Sequence, residues 1–534
     1  MKSEKCSYKT GVFIFCILCS VTLFASSHLF VNEQVTPKWL GMILCAGIIG
    51  SIWSIMSRNV FLPAKPVDTI LIACFFLVFI REWMTSGPFL IYSGGLLLLF
   101  FLVNNIVKIC HHHILFGSIT VFALVLSLQG ILQYSGILPS VFNNVKVTGS
   151  YDNAAGFASA LACAFPLCFY FFSSKNKYFR YTAIVIAVMT VIALILSGSR
   201  AGILAVVAAT AVWLFARSKI SSRQSKIIAV FVAVILAFVL YFIKKDSADG
   251  RLLIWRCTLD MVADKPVLGH GMGAFQAKYM LYQAEYISAH PDSQYARLAD
   301  NVLHPFNEYL LILCMHGFAG LGFVILMGLW LYHLYRHNRS KEKLTALMGL
   351  SALAVFSFFS YPFKYPFTYV MLFLNMAIIS ENSGVSSYPA FFTQKRNTLF
   401  KHIPRIIIFI FSSVLLIYSV ILTQTEIKWK RVAYLSTAGQ ALQALPEYEE
   451  LYRRLGNNGL FLYNHAVVLH SIGKFERSLA VIGRCTQYFN DFDVQMLLAN
   501  NFKALGQHAK AERHLNIAAA MCPARFMPLY ELEK

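Results

Sequence analysis

Runs of 18 or more apolar residues, about the length that carries an α-helix across a bilayer core, recur from the N-terminus to about residue 424. They begin near Gly11, Trp39, Val67, Pro88, His113, Asn153, Tyr181, Ala201, Ile227, Asn307, Leu344, Tyr365 and Ile406. From Tyr434 onward the chain is polar and amphipathic and carries no such run. The pattern predicts an all-α protein, a polytopic transmembrane helical bundle of about 13 spans followed by a C-terminal α-helical domain.

The connecting segments alternate in charge. One set holds the N-terminus, Arg58 with Lys65, Lys108 with His111 to His113, Lys175 to Arg180, Arg217 to Lys226, Arg336 to Lys343, and Lys395 to Arg405. The other set is poor in Lys and Arg: Asn32 to Pro37, Gly136 to Asp152, Ser197 to Arg200, a long loop from Lys244 to Pro305, and Tyr361 to Lys364. Basic loops stay on the cytoplasmic side. The N-terminus is therefore expected in the cytoplasm, and the chain after about Gln424 in the periplasm. The first run has the basic flank of a signal peptide (Lys2, Lys5, Lys9), but it is long and lacks a small-residue cleavage site, so it is expected to stay as a helix. Three divisions follow: N-terminal transmembrane helices over 1–135, a transmembrane core over 136–424 with the large outer loop 244–305, and a helical domain over 425–534.

Composition narrows the class. With 57% hydrophobic and 13% charged residues among 534, the chain is too apolar for a soluble protein and too poor in charge for a disordered one. Its 46 Lys+Arg against 25 Asp+Glu give +21, which the cytoplasmic loops account for; no nucleic-acid-reading motif accompanies it. Of the 12 cysteines, many lie in apolar segments as small hydrophobes, and Cys16-x-x-Cys19 lacks the second pair or histidine of a metal site. Cys485 and Cys522 lie about one repeat apart in the C-terminal domain, and their pairing depends on a distance that sequence does not set.

That domain shows internal similarity. Ala466 to Ile482 (Ile472-Gly473-Lys474-Phe475, Leu479-Ala480) aligns with Ala499 to Leu515 (Leu505-Gly506-Gln507, Ala511-Glu512). The offset is close to the 34-residue period of a helix-turn-helix array. These stretches resemble tetratricopeptide repeats.

Ionisable residues at span ends are the default functional candidates in a membrane protein, and three groups fall on the outer side. In Ser197-Gly198-Ser199-Arg200-Ala201-Gly202, small residues let backbone N–H groups approach an anion beside Arg200; the plainer reading is an interfacial cation. Asp249-Gly250-Arg251 with Trp255 is followed by Pro266-Val267-Leu268-Gly269-His270-Gly271, whose glycines lack the preceding strand and the Lys-Ser/Thr of a nucleotide loop. His304-Pro305-Phe306-Asn307-Glu308 leads into the span that contains His316, Gly317 and Gly320. Two arginines suited to a diphosphate and one histidine suited to taking a proton are the minimum set for moving a group off a pyrophosphate. Asp152, Asp249 and Glu308 are too dispersed for a catalytic metal and are expected to orient the arginines or His304.

In order and spacing, Thr148-Gly149-Ser150-Tyr151-Asp152-Asn153-Ala154-Ala155-Gly156, Ser199-Arg200-Ala201-Gly202, Arg251 with Trp255, the Gly269 to Gly271 turn, and His304 through Gly317 and Gly320 resemble the O-antigen ligase superfamily. This group holds O-antigen ligases, O-antigen polymerases and bacterial protein O-oligosaccharyltransferases. The resemblance runs roughly from Gly136 to Asn382. It implies a metal-independent, cofactor-free inverting glycosyltransferase of the bacterial inner membrane, drawing a preassembled glycan from undecaprenyl pyrophosphate. Arg200 and Arg251 would bind the pyrophosphate, and His304 would activate the acceptor hydroxyl. Asp152, Asn153, Ser199, Trp255 and Glu308 would support them. Pro305 departs from the small polar residue many relatives carry after the histidine. The acceptor is left open among lipid A core, protein Ser/Thr and another glycan, and the repeat domain points to a periplasmic protein partner. The reading from another class is a lipid-linked sugar flippase, against which the ionisable residues gather at one surface rather than at mid-membrane.

Overall fold

The computed structural model describes residues 2–56, 87–141, 145–217, 241–242, 245–381 and 398–533. Among the described residues are twenty α-helices and two short 3-10 turns, and no strand. The helices are α1 (Lys2–Phe24), α2 (Thr36–Met56), α3 (Gly87–Ile109), α4 (His112–Tyr134), α5 (Ala154–Ala164), α6 (Pro166–Phe172), α7 (Lys177–Leu196) and α8 (Arg200–Arg217). Then come α9 (Lys245–Asp264), α10 (Ala274–Ala289), α11 (Glu308–His337), α12 (Lys341–Phe359), α13 (Pro366–Ser380) and α14 (Thr398–Thr437). The C-terminal set is α15 (Ala441–Leu455), α16 (Gly459–Ser471), α17 (Phe475–Cys485), α18 (Phe492–Ala504), α19 (His508–Met521) and α20 (Met527–Glu533).

Nine stretches among the described residues are long and apolar enough to cross a membrane, from Thr36–Ile55 to Arg405–Thr437, and the chain is a multi-pass membrane protein. The expected spans near Val67 and Ile227 lie outside the described residues. The other expected starts each fall on, or within three residues before, one of these nine or the shorter apolar helices Tyr8–Phe24 and Pro366–Ser380.

Contacts divide the chain into two compact units. The first takes its described residues from 1–83, 89–237 and 326–423. Here α1 packs on α2, α4 on α7, and α8 on α12. Helix α8 buries Ala201, Gly202, Ala205 and Ala209, a strip of small residues that lets two backbones approach where lipid supplies no hydrophobic drive. On α7 the opposite logic holds: Tyr181, Val185, Val188 and Ile192 lie exposed on one stripe, the face for lipid.

The second unit takes its described residues from 84–88, 238–325 and 424–534. The segment expected to be a long loop is mostly helix, as α9 and α10. Both are amphipathic rather than apolar throughout, so they lack the continuous run by which a span is recognised. Helix α9 turns Leu253, Cys257 and Met261 inward, and they join Phe275, Tyr279 and Met280 of α10, Cys314 of α11 and Phe492, Met521 and Cys522 further on in one core. The C-terminal helices form antiparallel pairs, α16 with α17 and α18 with α19. Gly473 (φ 76°) and Gly506 (φ 69°) close the two pairs in the left-handed region. Each is followed by an equivalent bond, Lys474 N–H to Leu469 O at 2.9 Å and Gln507 N–H to Phe502 O at 2.9 Å. Cys485 and Cys522 are both buried free thiols.

Candidate functional site

In the first unit, Ser197 to Gly202 forms a tight helix entry. Gly198 adopts φ 65°, which turns the chain out of α7. The Ser199 hydroxyl then accepts from Gly202 N–H at 3.3 Å, capping α8. Arg200 is the first residue of α8 and is half-buried. Gly202 packs so tightly that a Cβ there would lie 2.9 Å from Leu194 and 3.3 Å from Ala158. A guanidinium in the first turn sits at the positive end of the helix dipole, where a cation is disfavoured and an anion is welcome.

Residues 148–156 are held from several directions. Gln133 clamps the turn, accepting from Thr148 N–H at 3.1 Å and Gly149 N–H at 2.7 Å and donating to Gly149 O at 3.1 Å. The fully buried Lys38 donates to Ser150 O at 2.7 Å and Ala25 O at 2.8 Å. Asp152 pairs with Lys364 at 2.6 Å and accepts from Tyr365 Oη at 2.7 Å and Asn153 Nδ2 at 3.2 Å. Asn153 also caps α5, accepting from Gly156 N–H at 2.9 Å, and donates to Tyr365 Oη at 2.8 Å. The partners of Asp152 and Asn153 thus come from the turn before α13, and sequence reasoning missed Lys364 and Tyr365. Their signal was a Lys-Tyr pair in a short loop, but its separation of 212 positions from Asp152 hid the pairing.

In the second unit, Arg251 and Trp255 lie one turn apart on α9 and both meet the segment that carries His304. Trp255 Nε1–H donates to Pro305 O at 3.0 Å. The Arg251 guanidinium lies 5.1 Å from the centre of the Phe306 ring, a cation–π contact. Phe306 adopts φ 54°, the one left-handed non-glycine among the described residues, and its strain is held by these contacts. Asn307 then accepts from Tyr309 N–H at 3.0 Å and Leu310 N–H at 3.1 Å, capping α11. Glu308 is buried in that first turn, while His304 is half-buried just before it. The structure therefore gathers Arg251, Trp255, His304 and Glu308 around one short stretch. Asp249, on the same helix, accepts from Tyr241 Oη at 2.5 Å.

The glycine-rich turn has a different task. Helix α11 breaks at Gly317 (φ 63°, ψ −163°), and residues 266–271 lie along the break. His270 N–H donates to Cys314 O at 2.8 Å and Gly271 N–H to Met315 O at 3.0 Å. In return, Phe318 N–H donates to Pro266 O at 2.8 Å and Ala319 N–H to Val267 O at 3.1 Å. A broken helix leaves orphan backbone groups, and this turn satisfies four of them. The approach leaves no room for side chains: a Cβ on Gly317 would lie 2.3 Å from Val267 O, and one on Gly269 2.5 Å from Met315 C. The His270 ring is occupied in structure, Nε2 with Met261 O at 2.7 Å and Nδ1 with Lys278 at 3.4 Å.

Among the described residues no three His, Cys, Asp or Glu side chains gather as a set of metal donors. No curated protein matches the chain. Residues 184–325, from within α7 through α8, α9 and α10 into α11, contain Ser199, Arg200, Arg251, Trp255, His304 and Glu308, and this stretch matches the family model described as O-antigen ligase.

Proposed function

We propose that the protein is a metal-independent inverting glycosyltransferase, moving a preassembled glycan from undecaprenyl pyrophosphate to a hydroxyl acceptor at the periplasmic face of the bacterial inner membrane. The observation that carries this reading is the O-antigen ligase match over 184–325, which takes in Arg200, Arg251 and His304 together. The alternation of basic and charge-poor loops supports the orientation, with the C-terminal helices outside.

In this reaction His304 takes the proton from the acceptor hydroxyl as its oxygen bonds to the anomeric carbon from the face opposite the diphosphate. The bond between that carbon and the diphosphate oxygen breaks, and its electron pair leaves with undecaprenyl pyrophosphate. Arg200 and Arg251 stabilise the charge gathering there. Arg200 suits the task by its place in the first turn of α8, where the helix dipole favours the same anion. Arg251 is braced over Phe306, so little ordering is left to the moment of reaction. The acceptor class, lipid A core or protein Ser/Thr, is tested by incubating purified protein with an undecaprenyl-pyrophosphate glycan and each acceptor in turn. Glycan on one acceptor with release of undecaprenyl pyrophosphate is the expected result. Extension of the glycan alone would identify a polymerase, and no product on any acceptor would overturn the reading.

A further inference from the structure

The stretch that bears His304 is fastened at both ends, and one of the fastenings comes from the C-terminal helices. On the far side of His304, Trp255 and Arg251 hold Pro305 and Phe306. On the near side, three residues before the histidine, the Asn301 side chain is fully engaged by the turn into α18. Its Nδ2 donates to Asp491 at 3.2 Å and to Asp493 at 3.3 Å, and its Oδ1 accepts from Phe492 N–H at 3.2 Å. Asp491 is itself buried and caps α18, accepting from Val494 N–H at 3.0 Å, so Asn301 is tied to a fixed point. Asp300 adds an ion pair to Arg525 at 2.5 Å, and Arg525 in turn lies 4.6 Å over the Phe492 ring. Beneath them the fully buried Gln283 Nε2 donates both to Asp300 O at 3.2 Å and to Met521 O at 2.7 Å, joining α10, the strap and the end of α19.

We propose that the C-terminal helices are a positioning element of the transfer site, and that Asn301 and Asp300 are positioning residues through which they set the presentation of His304. The inference rests on the transferase reading above. A neutral amide whose two N–H donors and whose oxygen all bond the same turn, across 190 positions of sequence, is committed to one task, fixing residues 300–301. Only Val302 and Leu303 then separate that anchor from His304, and Pro305 is pinned just after it. A general base must stand within hydrogen-bond reach of the proton it takes, and about 1 Å of drift from a remote change can cost about a hundredfold in rate. A repeat-like domain that only recruited a partner would have no need to bond the catalytic strap.

The test compares Asn301→Ala, Asp300→Ala and the exchanged pair Asp300→Arg with Arg525→Asp against the full-length protein, with Arg477→Ala, which breaks the remote Arg477–Glu449 pair, as control. Steady-state transfer is read together with amide hydrogen exchange over residues 299–307. For Asn301→Ala, kcat is expected to fall by about 10- to 100-fold with KM for the donor within about twofold, and exchange over 299–307 to quicken while α9 stays protected. Asp300→Ala is expected to fall less, the exchanged pair to recover it, and Arg477→Ala to match the wild type. Wild-type kcat in Asn301→Ala, or a loss of kcat without faster exchange at 299–307, would overturn the inference while leaving the transferase reading standing. If the wild type transfers no glycan and His304→Ala changes nothing, it is the transferase reading that fails.

Discussion

Trp255 of α9 donates its indole N–H to the carbonyl of Pro305 at 3.0 Å, so the residue after His304 is held by the helix that bears Arg251. Trp255→Phe keeps the ring and removes the donor. The expected cost is about 1 kcal/mol of stability, with a larger fractional loss of turnover because the His304 stretch loosens. Thermal unfolding and transfer rates on the same preparation check this; a loss of stability with unchanged turnover would separate Trp255 from the site.

Gly317 and Gly269 are expected to tolerate no side chain. Gly317→Ala meets both a positive φ and a carbonyl oxygen 2.3 Å away, so a loss of about 2–4 kcal/mol is expected. Gly322→Ala, on the same helix in open space, is expected to change stability by less than about 1 kcal/mol. Equal midpoints for the two variants in thermal unfolding would refute the account of the helix break.

Asp152 holds Lys364, Tyr365 and Asn153 at once. Asp152→Ala strands a half-buried ammonium and two donors, for an expected loss of about 2–3 kcal/mol, while Tyr365→Phe removes the bonds to Asp152 and from Asn153 and costs about 1–2 kcal/mol. The double variant is expected to lose less than the sum, since the two share a bond; strict additivity would argue against the cluster.

Two groups in the C-terminal helices give opposing pH dependence. Burial pushes the Asp491 carboxyl up to about 6, with Asp493 adding to the rise. Folded Asp491 therefore holds its proton longer than the unfolded chain does, and its contribution fades as pH climbs from about 4 to about 6. Burial also lowers His465 to about 4, against the attraction of Glu449. That histidine stacks on Tyr448 with ring centres 5.4 Å apart, and its contribution is present above about 6.5 and is lost as pH falls towards 4. Asp491→Asn is expected to leave stability rising with pH over this window, and His465→Phe to leave it falling. Melting of the full-length variants between pH 4 and 7 checks both signs; profiles parallel to the wild type would contradict them.

The spans were legible because a bilayer demands a continuous apolar run, and the expected starts within the described residues fell in a helix or on the residue just before one. Helices α9 and α10 were hidden because each shows only an apolar stripe, as Leu253, Cys257 and Met261 illustrate. Arg200, Arg251 and His304 stood out as candidates by residue type and order. Long-range pairs were not legible: Lys364 meets Asp152 and Asn301 meets Asp491 across long stretches of chain, and only folding joins such pairs. Gly317 was visible as a residue, but its role in breaking α11 depends on residues 266–271 lying against it.

The central claim is that His304 activates the acceptor, and transfer by His304→Ala tests it most directly. With an undecaprenyl-pyrophosphate glycan and the acceptor the wild type uses, turnover is expected to fall by about 100- to 10,000-fold while donor binding persists. Wild-type turnover in His304→Ala would contradict the account.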